Sequence, residues 1–464
     1  MKILYLNGSP KGDNSVTLQY LLYLKKKFPD HDYKVWHIAQ KIKSIEKQPD
    51  LFQEILKDVK SAEGIIWGFP LYCLLLPSQF KRFIELIFEG GKDVQDKFKG
   101  KYTVALSTSI HFYDHTCHNY MQAICDDLDM KYVGKFSADT WDILNRKNRP
   151  TWLAFGKKFF SAIQDTKPTI KSFMPLLSRD FSYIPTNSSK KIQLNGKKLV
   201  LIVDNQDSTS NIGKMIEQFQ SSFGTSISIY SHENIDLKFP CIGCMKCGYD
   251  NRCSYDGKDG FNEFWRNHLM DADIIVFAGE MKDRYLSSQW KKFLDRAYFR
   301  NHTPSFTGKQ FGMLISGPLS QNPNLKEIIQ GFAEFQQMNL SGIITDEFGD
   351  STDIDALILN FAEELIYNVK QKFIAPHSFH GVASQKIFRD DVYGRLRFVC
   401  QADHRHYKTN GYYQSFPQNN KVFKKINRKM MFLSRFKKFR TQLYKRIADE
   451  LVRPFKKLVA APYR

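Results

Sequence analysis

Two stretches of this 464-residue chain read alike 210 residues apart. Ser78-Gln79-Phe80-Lys81-Arg82-Phe83-Ile84-Glu85 aligns with Ser288-Gln289-Trp290-Lys291-Lys292-Phe293-Leu294-Asp295, and nearly every change is like for like. At the same offset Ile65-Ile66-Trp67 falls on Ile275-Val276-Phe277, and Val104 to Ser107 falls on Met313 to Ser316 at an offset of 209. The period far exceeds that of any solenoid repeat, so the duplication predicts two tandem domains.

Each copy alternates short apolar runs with helical patterns. Strands are expected near Lys2–Asn7, Tyr33–His37, Gly64–Trp67, Tyr102–Ser107 and Lys131–Lys135. In the second copy they are expected near Lys198–Val203, Ser226–Tyr230, Asp273–Ala278, Gln310–Ser316 and Gly342–Thr345. Five strand–helix units of this length predict an α/β class: two tandem flavodoxin-like, doubly wound parallel sheets, with ligands at the carboxyl ends of the strands. The expected organisation is a first domain over 1–166, a Pro-, Ser- and Lys-bearing linker over 167–196, a second domain over 197–375 and a C-terminal extension over 376–464.

The net charge of +20 suggests nucleic acid until it is located. Fifteen Lys and Arg against two acidic residues lie between Lys421 and Arg464, which puts 13 of those charges in the tail. There Phe423, Ile426, Met430, Leu433, Phe436, Phe439, Leu443, Ile447, Leu451, Phe455 and Leu458 recur at three- and four-residue steps. That is a basic amphipathic helix, which Pro454 is expected to kink or end. It could pack on the domains, contact a membrane surface peripherally, or meet an acidic protein partner; no nucleic-acid motif accompanies the charge. No run approaches the ~20 apolar residues of a spanning helix. MKILYLNGSP is too short an apolar start for a signal peptide, so the chain is read as cytoplasmic.

The loops after the strands carry the chemistry. The first joins strand to helix through Asn7-Gly8-Ser9-Pro10-Lys11-Gly12-Asp13-Asn14-Ser15. Backbone N–H groups, Ser9, Asn14, Ser15 and the Lys11 ammonium suit a phosphate there. Without a G-K-[ST] ending it is no Walker loop. The second loop, Gly68-Phe69-Pro70-Leu71-Tyr72-Cys73, places Phe69 and Tyr72 to flank a flat ring. The third, Ser107-Thr108-Ser109-Ile110-His111, adds hydroxyls and an imidazole. Together they suggest a mononucleotide with an aromatic headgroup, FMN rather than a dinucleotide, since G-x-G-x-x-G is absent. Taken singly, the first is also a plain capped turn and the others ordinary connections. No catalytic side chain is assigned.

Gly8-Ser9-Pro10 with Asn14-Ser15, and Gly68-Phe69-Pro70-Leu71-Tyr72 followed by Gln79-Phe80-Lys81, resemble the NADPH-dependent FMN reductase and multimeric flavodoxin families. Phe69 stands where Ser or Thr is common. The resemblance spans both copies, roughly residues 1–165 and 197–370. It implies an FMN-containing oxidoreductase, with NAD(P)H as electron donor and an acceptor the sequence does not name. Ser9, Lys11, Asn14, Ser15, Pro70, Leu71, Tyr72, Thr108, Ser109 and His111 are the cofactor-binding candidates.

The second copy contributes Cys241, Cys244, Cys247 and Cys253, a C-x2-C-x2-C-x5-C cluster similar to that of the iron–sulfur flavoproteins, which holds a [4Fe–4S] centre. Four thiols this close in sequence can wrap a cubane. A thiol-redox or structural role, and zinc, remain open. The copies are complementary. The first lacks cysteines in the matching loop, Ala39 to Asp50. The second has Asp204-Asn205-Gln206 for Gly-Ser-Pro, Glu280 for Pro70, Lys282 for Tyr72 and Gly317 for Thr108. The expectation is an internal pseudo-dimer that brings the cysteines near the first copy's FMN. Alternative readings are a non-catalytic electron carrier or scaffold, and a thiol sensor.

Two features are set aside. His111, His115 and His118 have helical spacing but equally fit exposed positions on a turn. The segment Cys400 to Pro417 is expected to be a surface docking segment rather than a cover for the site.

Overall fold

The computed structural model describes residues 1–186, 190–204, 207–300, 302–415 and 421–459, leaving aside the side chains of 415, 423, 448–451, 454, 457 and 458. Met1–His404 forms one compact unit and Arg405–Arg464 a second.

The first unit contains two five-stranded parallel sheets. One is built from β1 (Lys2–Asn7), β2 (Asp32–Trp36), β3 (Gly64–Pro70), β4 (Tyr102–Ser109) and β5 (Lys131–Asp139), in the order β2-β1-β3-β4-β5. The other is built from β6 (Leu199–Val203), β7 (Ser228–Ser231), β8 (Ile274–Glu280), β9 (Gln310–Ser316) and β10 (Asn339–Thr345). Its order, β7-β6-β8-β9-β10, repeats the first. This is the doubly wound flavodoxin-like order. The central strands read as unbroken apolar runs because helices cover both faces. Ile3, Tyr5, Ile66, Val104 and Leu106 pack with Leu18, Leu21 and Trp152 in one core. Leu199, Leu201, Val276 and Leu314 pack with Ile216, Phe361 and Leu365 in the other.

Strands β3, β4 and β5 run two to four residues past the stretches read from sequence. The register pairs Asn7 with Gly68, Pro70 with Thr108 and Ser109 with Asp139, aligning the three loops along one edge. One expectation fails here. Phe69 lies inside β3, fully buried against Phe80 and His118, and does not flank a ring. The side-chain alternation of a strand carried two residues further turns it into the core.

The repeated helices Ser78–Glu89 and Ser288–Ala297 pack against each other. The Ser78 N–H donates to Asp295 Oδ2 at 2.8 Å, and the Ser288 N–H donates to Glu85 Oε1 at 2.5 Å. Each helix start is thus capped by the acid near the end of its counterpart. Lys81, wholly buried, pairs with Glu85 at 2.8 Å and Asp283 at 2.9 Å, while Lys291 pairs with Asp295. Arg284 adds a two-pronged pair to Asp127 at 2.6 and 2.8 Å.

No helix or named strand lies between Gln164 and Leu199 among the described residues, but this stretch is tied down on both sides. Asp126 accepts the Ser172 and Phe173 N–H groups, and Tyr183 is buried in the second core. The second unit, taken by itself, contains the helices Lys421–Leu433 and Lys437–Val459. The latter continues past residue 454 instead of ending there. No described helix is long and apolar enough to cross a membrane.

Candidate functional site

A cavity of about 260 Å³ opens at the carboxyl edge of the first sheet. The first copy contributes Ser9, Lys11, Ser15, Val16 and Thr17 from one loop and helix start. Pro70, Leu71 and Tyr72 come from the second loop, and Thr108 and Ile110 from the third. The facing wall comes from elsewhere: Cys241, Gly243 and Met245 of the cysteine loop, Asp295 and Tyr298 behind it, and Asp391 and Leu396 of the C-terminal extension. The extension therefore reaches the cavity, and Arg395 anchors it there with two 2.9 Å bonds to Asp139 at the end of β5. In the segment read as surface docking, Cys400 and Asp403 are buried while Lys408 and Asn410 are exposed. Residue 417 lies outside the described residues.

On the first-loop side, Ser15 caps the helix Val16–Lys27 by accepting the Leu18 N–H, and Lys11 pairs with no carboxylate among the described residues. The first N–H groups of a helix have no intrahelical acceptor, and Val16 and Thr17 of this one line the cavity. Thr17 and Thr108 share a hydroxyl–hydroxyl bond of 2.6 Å that joins the first loop to the third. Tyr72 closes a two-bond turn with Leu75, and its hydroxyl is buried without a partner. Gly243 is required beside it. A Cβ there would sit 2.0 Å from the Tyr72 hydroxyl, and its φ of +63° is already in the left-handed region.

Three candidates fall outside the lining. Asn14 is exposed at the end of a short turn, Gly12–Asn14, that presents Ser15 instead. Ser109 accepts the His111 N–H at 2.9 Å, and the His111 ring turns to Asp114 at 2.9 Å. Burial alone would raise the Asp114 carboxyl. The His111 and Ser137 bonds outweigh it and hold it at about 2. The histidines do not converge. His115 pairs with Glu327, and His118, far from exposed, is buried against Ser107 with its pKa lowered to about 3 by burial and by Lys135. His111 precedes the helix Asp114–Asp127, so the apparent helical spacing is not realised. Sequence reading missed Thr140 and Trp141, which line the cavity just past β5. Their place at a fifth strand end was the available signal.

All four clustered cysteines line a second, small cavity with Tyr255, Arg296, Tyr298 and Phe299. Gln79 of the first copy donates to the Cys241 carbonyl at 2.9 Å. Burial pushes the Cys241 thiol up to about 12, with Asp295, Cys253 and Cys244 adding to it against the Gly243 N–H. Cys247 is also raised, by burial first and then by the other three cysteines. Cys247 is buried, Cys241 and Cys253 are half-buried and Cys244 is exposed; four thiols gathered in this way suit a cation or cluster.

The matching edge of the second sheet is different. A cavity of about 650 Å³ there is lined by Asp204, Asp207, His232, Glu280 and Lys282, with Lys282 paired to Glu280 at 2.7 Å. Burial raises the Asp204 carboxyl to about 6 against the Ser287 hydroxyl bond. Asn205 and Gln206 lie outside the described residues.

Residues 1–141 match the family model described as NADPH-dependent FMN reductase. No curated protein matches the chain. Among solved structures it is similar to an NADH:FMN oxidoreductase in its apo form, at 16% identity over 34% of this chain and 89% of that one, with a TM-score of 0.29. It is also similar to general stress protein 14 of Treponema denticola in complex with FMN, at 11% identity over 36% and 99%, TM-score 0.27. A third is the NAD(P)H:(acceptor) oxidoreductase FerB of Paracoccus denitrificans, at 13% identity over 35% and 97%, TM-score 0.28.

Proposed function

We propose, from the match of residues 1–141 to the family model described as NADPH-dependent FMN reductase, that the chain is an NAD(P)H-dependent flavin oxidoreductase with FMN in the first cavity and a [4Fe–4S] cluster on Cys241, Cys244, Cys247 and Cys253. The observation that carries this reading is the shared wall. Flavin-type loops of the first copy and the cysteine loop of the second line one cavity, and Cys241, Gly243, Met245 and Tyr298 also line the cysteine cavity. The reciprocal capping of Ser78 and Ser288 supports an internal pseudo-dimer.

When bound, FMN supplies a ring that accepts a hydride from the nicotinamide and hands electrons on. The cluster supplies a one-electron carrier. Ser9, Ser15, the Lys11 ammonium and the helix start at Val16 and Thr17 would hold the phosphate. Pro70, Leu71 and Tyr72 would form one wall of the ring site, and Leu396 and Met245 would keep water from the other side. No three of the four sulfurs lie within 4.8 Å of one another, wider than the roughly 3.8 Å separation around a single tetrahedral zinc. The tail is read as a peripheral contact with an anionic surface.

The test is an absorption spectrum of anaerobically purified protein, with flavin, iron and sulfide measured on the same sample. One FMN and about four irons per chain are expected, and Cys244→Ser should lose iron but keep flavin. FMN without iron would leave a simple flavin reductase, and absence of flavin would sink the proposal. Steady NAD(P)H oxidation with a quinone separates the enzyme from a non-catalytic carrier.

A further inference from the structure

One group of ligand-type side chains belongs to neither cavity's cofactor set. His302, Cys400 and Asp403, all buried, are the only described residues among which three ligand atoms of His, Cys, Asp or Glu lie within 4.8 Å of one another. They come from distant parts of the chain. His302 follows the short turn Tyr298–Arg300 of the second domain, and Cys400 and Asp403 lie three residues apart in the C-terminal extension.

Each member is already oriented. His302 Nδ1 lies 2.8 Å from Asp403 Oδ2, and its Nε2 lies 2.7 Å from the Tyr298 hydroxyl. The other carboxylate oxygen, Asp403 Oδ1, accepts the His302 N–H at 3.1 Å and the Thr303 hydroxyl at 2.9 Å. Cys400 is fully buried and forms no disulfide. Nearby, Asp391 keeps Oδ2 buried without a partner and is close enough to act on the Cys400 thiol.

An imidazole nitrogen, a sulfur and a carboxylate oxygen form a donor set suited to zinc. Tetrahedral bonds of ordinary length place such donors about 3.3–3.6 Å apart, so the triad needs only a small adjustment. The outer contacts match those that hold metal ligands: a hydroxyl on the second imidazole nitrogen and two donors on the second carboxylate oxygen. We propose that His302, Cys400 and Asp403 bind one divalent transition-metal ion of the zinc type, which fastens the C-terminal extension to the second domain. Binding releases the thiol proton and leaves the remaining imidazole proton on Nε2, with the Tyr298 oxygen as its acceptor. The inference does not depend on flavin or on the four-cysteine cavity being occupied.

The test uses the full chain carrying Cys241→Ser, Cys244→Ser, Cys247→Ser and Cys253→Ser, which removes the four clustered thiols, after treatment with a chelator. Titration with Co²⁺ should give one equivalent showing tetrahedral visible bands and a thiolate charge-transfer band. Adding Cys400→Ser should abolish the charge-transfer band while near-ultraviolet circular dichroism is unchanged. Zinc-edge absorption spectroscopy of the zinc-loaded wild-type chain should find a mixed shell with one sulfur per metal at this site, a readout that needs no variant. No thiolate band in the quadruple variant, or a band that survives Cys400→Ser, would overturn the proposal. So would a zinc shell of four sulfurs only.

Discussion

Asp204 stands where the first copy has Gly8-Ser9-Pro10, and its environment reports what that replacement costs. It is mostly buried, accepts one bond from Ser287 at 2.6 Å and keeps Oδ2 unpaired. Its folded pKa of about 6 exceeds the ordinary 3.8. The unfolded chain therefore gives up this proton first as pH rises, and stability falls between about pH 4 and 6 and stays reduced above. Asp204→Asn should raise the thermal midpoint at pH 8, recovering up to about 3 kcal/mol, and should leave it nearly unchanged at pH 4. Equal effects at both pH values would show that the penalty does not come from the charge. The acid itself was legible in the sequence, but its burial was not, because Ser287 reaches it from 83 residues away. Likewise the glycine of Cys241-Ile242-Gly243-Cys244 was visible, while the Tyr72 hydroxyl that forbids a larger residue comes from the other domain.

At the scale of elements, the paired helices Ser78–Glu89 and Ser288–Ala297 decide how the two sheets meet. Their likeness revealed the duplication, yet the same residues read in one copy alone look like an ordinary amphipathic helix. Their buried charges make sense only across the interface. Lys81 neutralises Glu85 of its own helix and Asp283 of the other domain. Asp283 falls on Cys73 at the repeat offset, so this part of the network is not symmetric. Removing one member of a buried network strands the rest, at about 3–5 kcal/mol. Lys81→Met should therefore lower the thermal midpoint by roughly 6 °C or more, measured against an exposed control such as Lys99→Met. A shift equal to the control's would mean that apolar contacts alone hold the helices together.

For the whole molecule, the tail by itself comprises two basic helices with Met431, Phe432, Phe436 and Phe455 exposed. Apolar side chains set among Lys and Arg suit the headgroup region of an anionic bilayer. The full chain should sediment with vesicles containing phosphatidylserine but not with pure phosphatidylcholine, and should be released by high salt. A chain ending at residue 420 should not sediment. Binding to nucleic acid in preference to such vesicles would reassign the tail. The sequence by itself determined the duplication, the strand positions to within a few residues, the loops at the sheet edge and the cysteine cluster. These are local: period, turn chemistry and spacing are properties of neighbouring residues. Only the tertiary structure decided that the cysteine loop walls the first copy's cavity, that Asn14, Ser109 and His111 lie off it, and that the extension returns through Asp391 and Leu396 to cover it. It also brought His302 to Cys400 and Asp403 across about a hundred residues. Such contacts join segments far apart in the chain, and their partners are chosen by how the two domains pack, which no local pattern encodes.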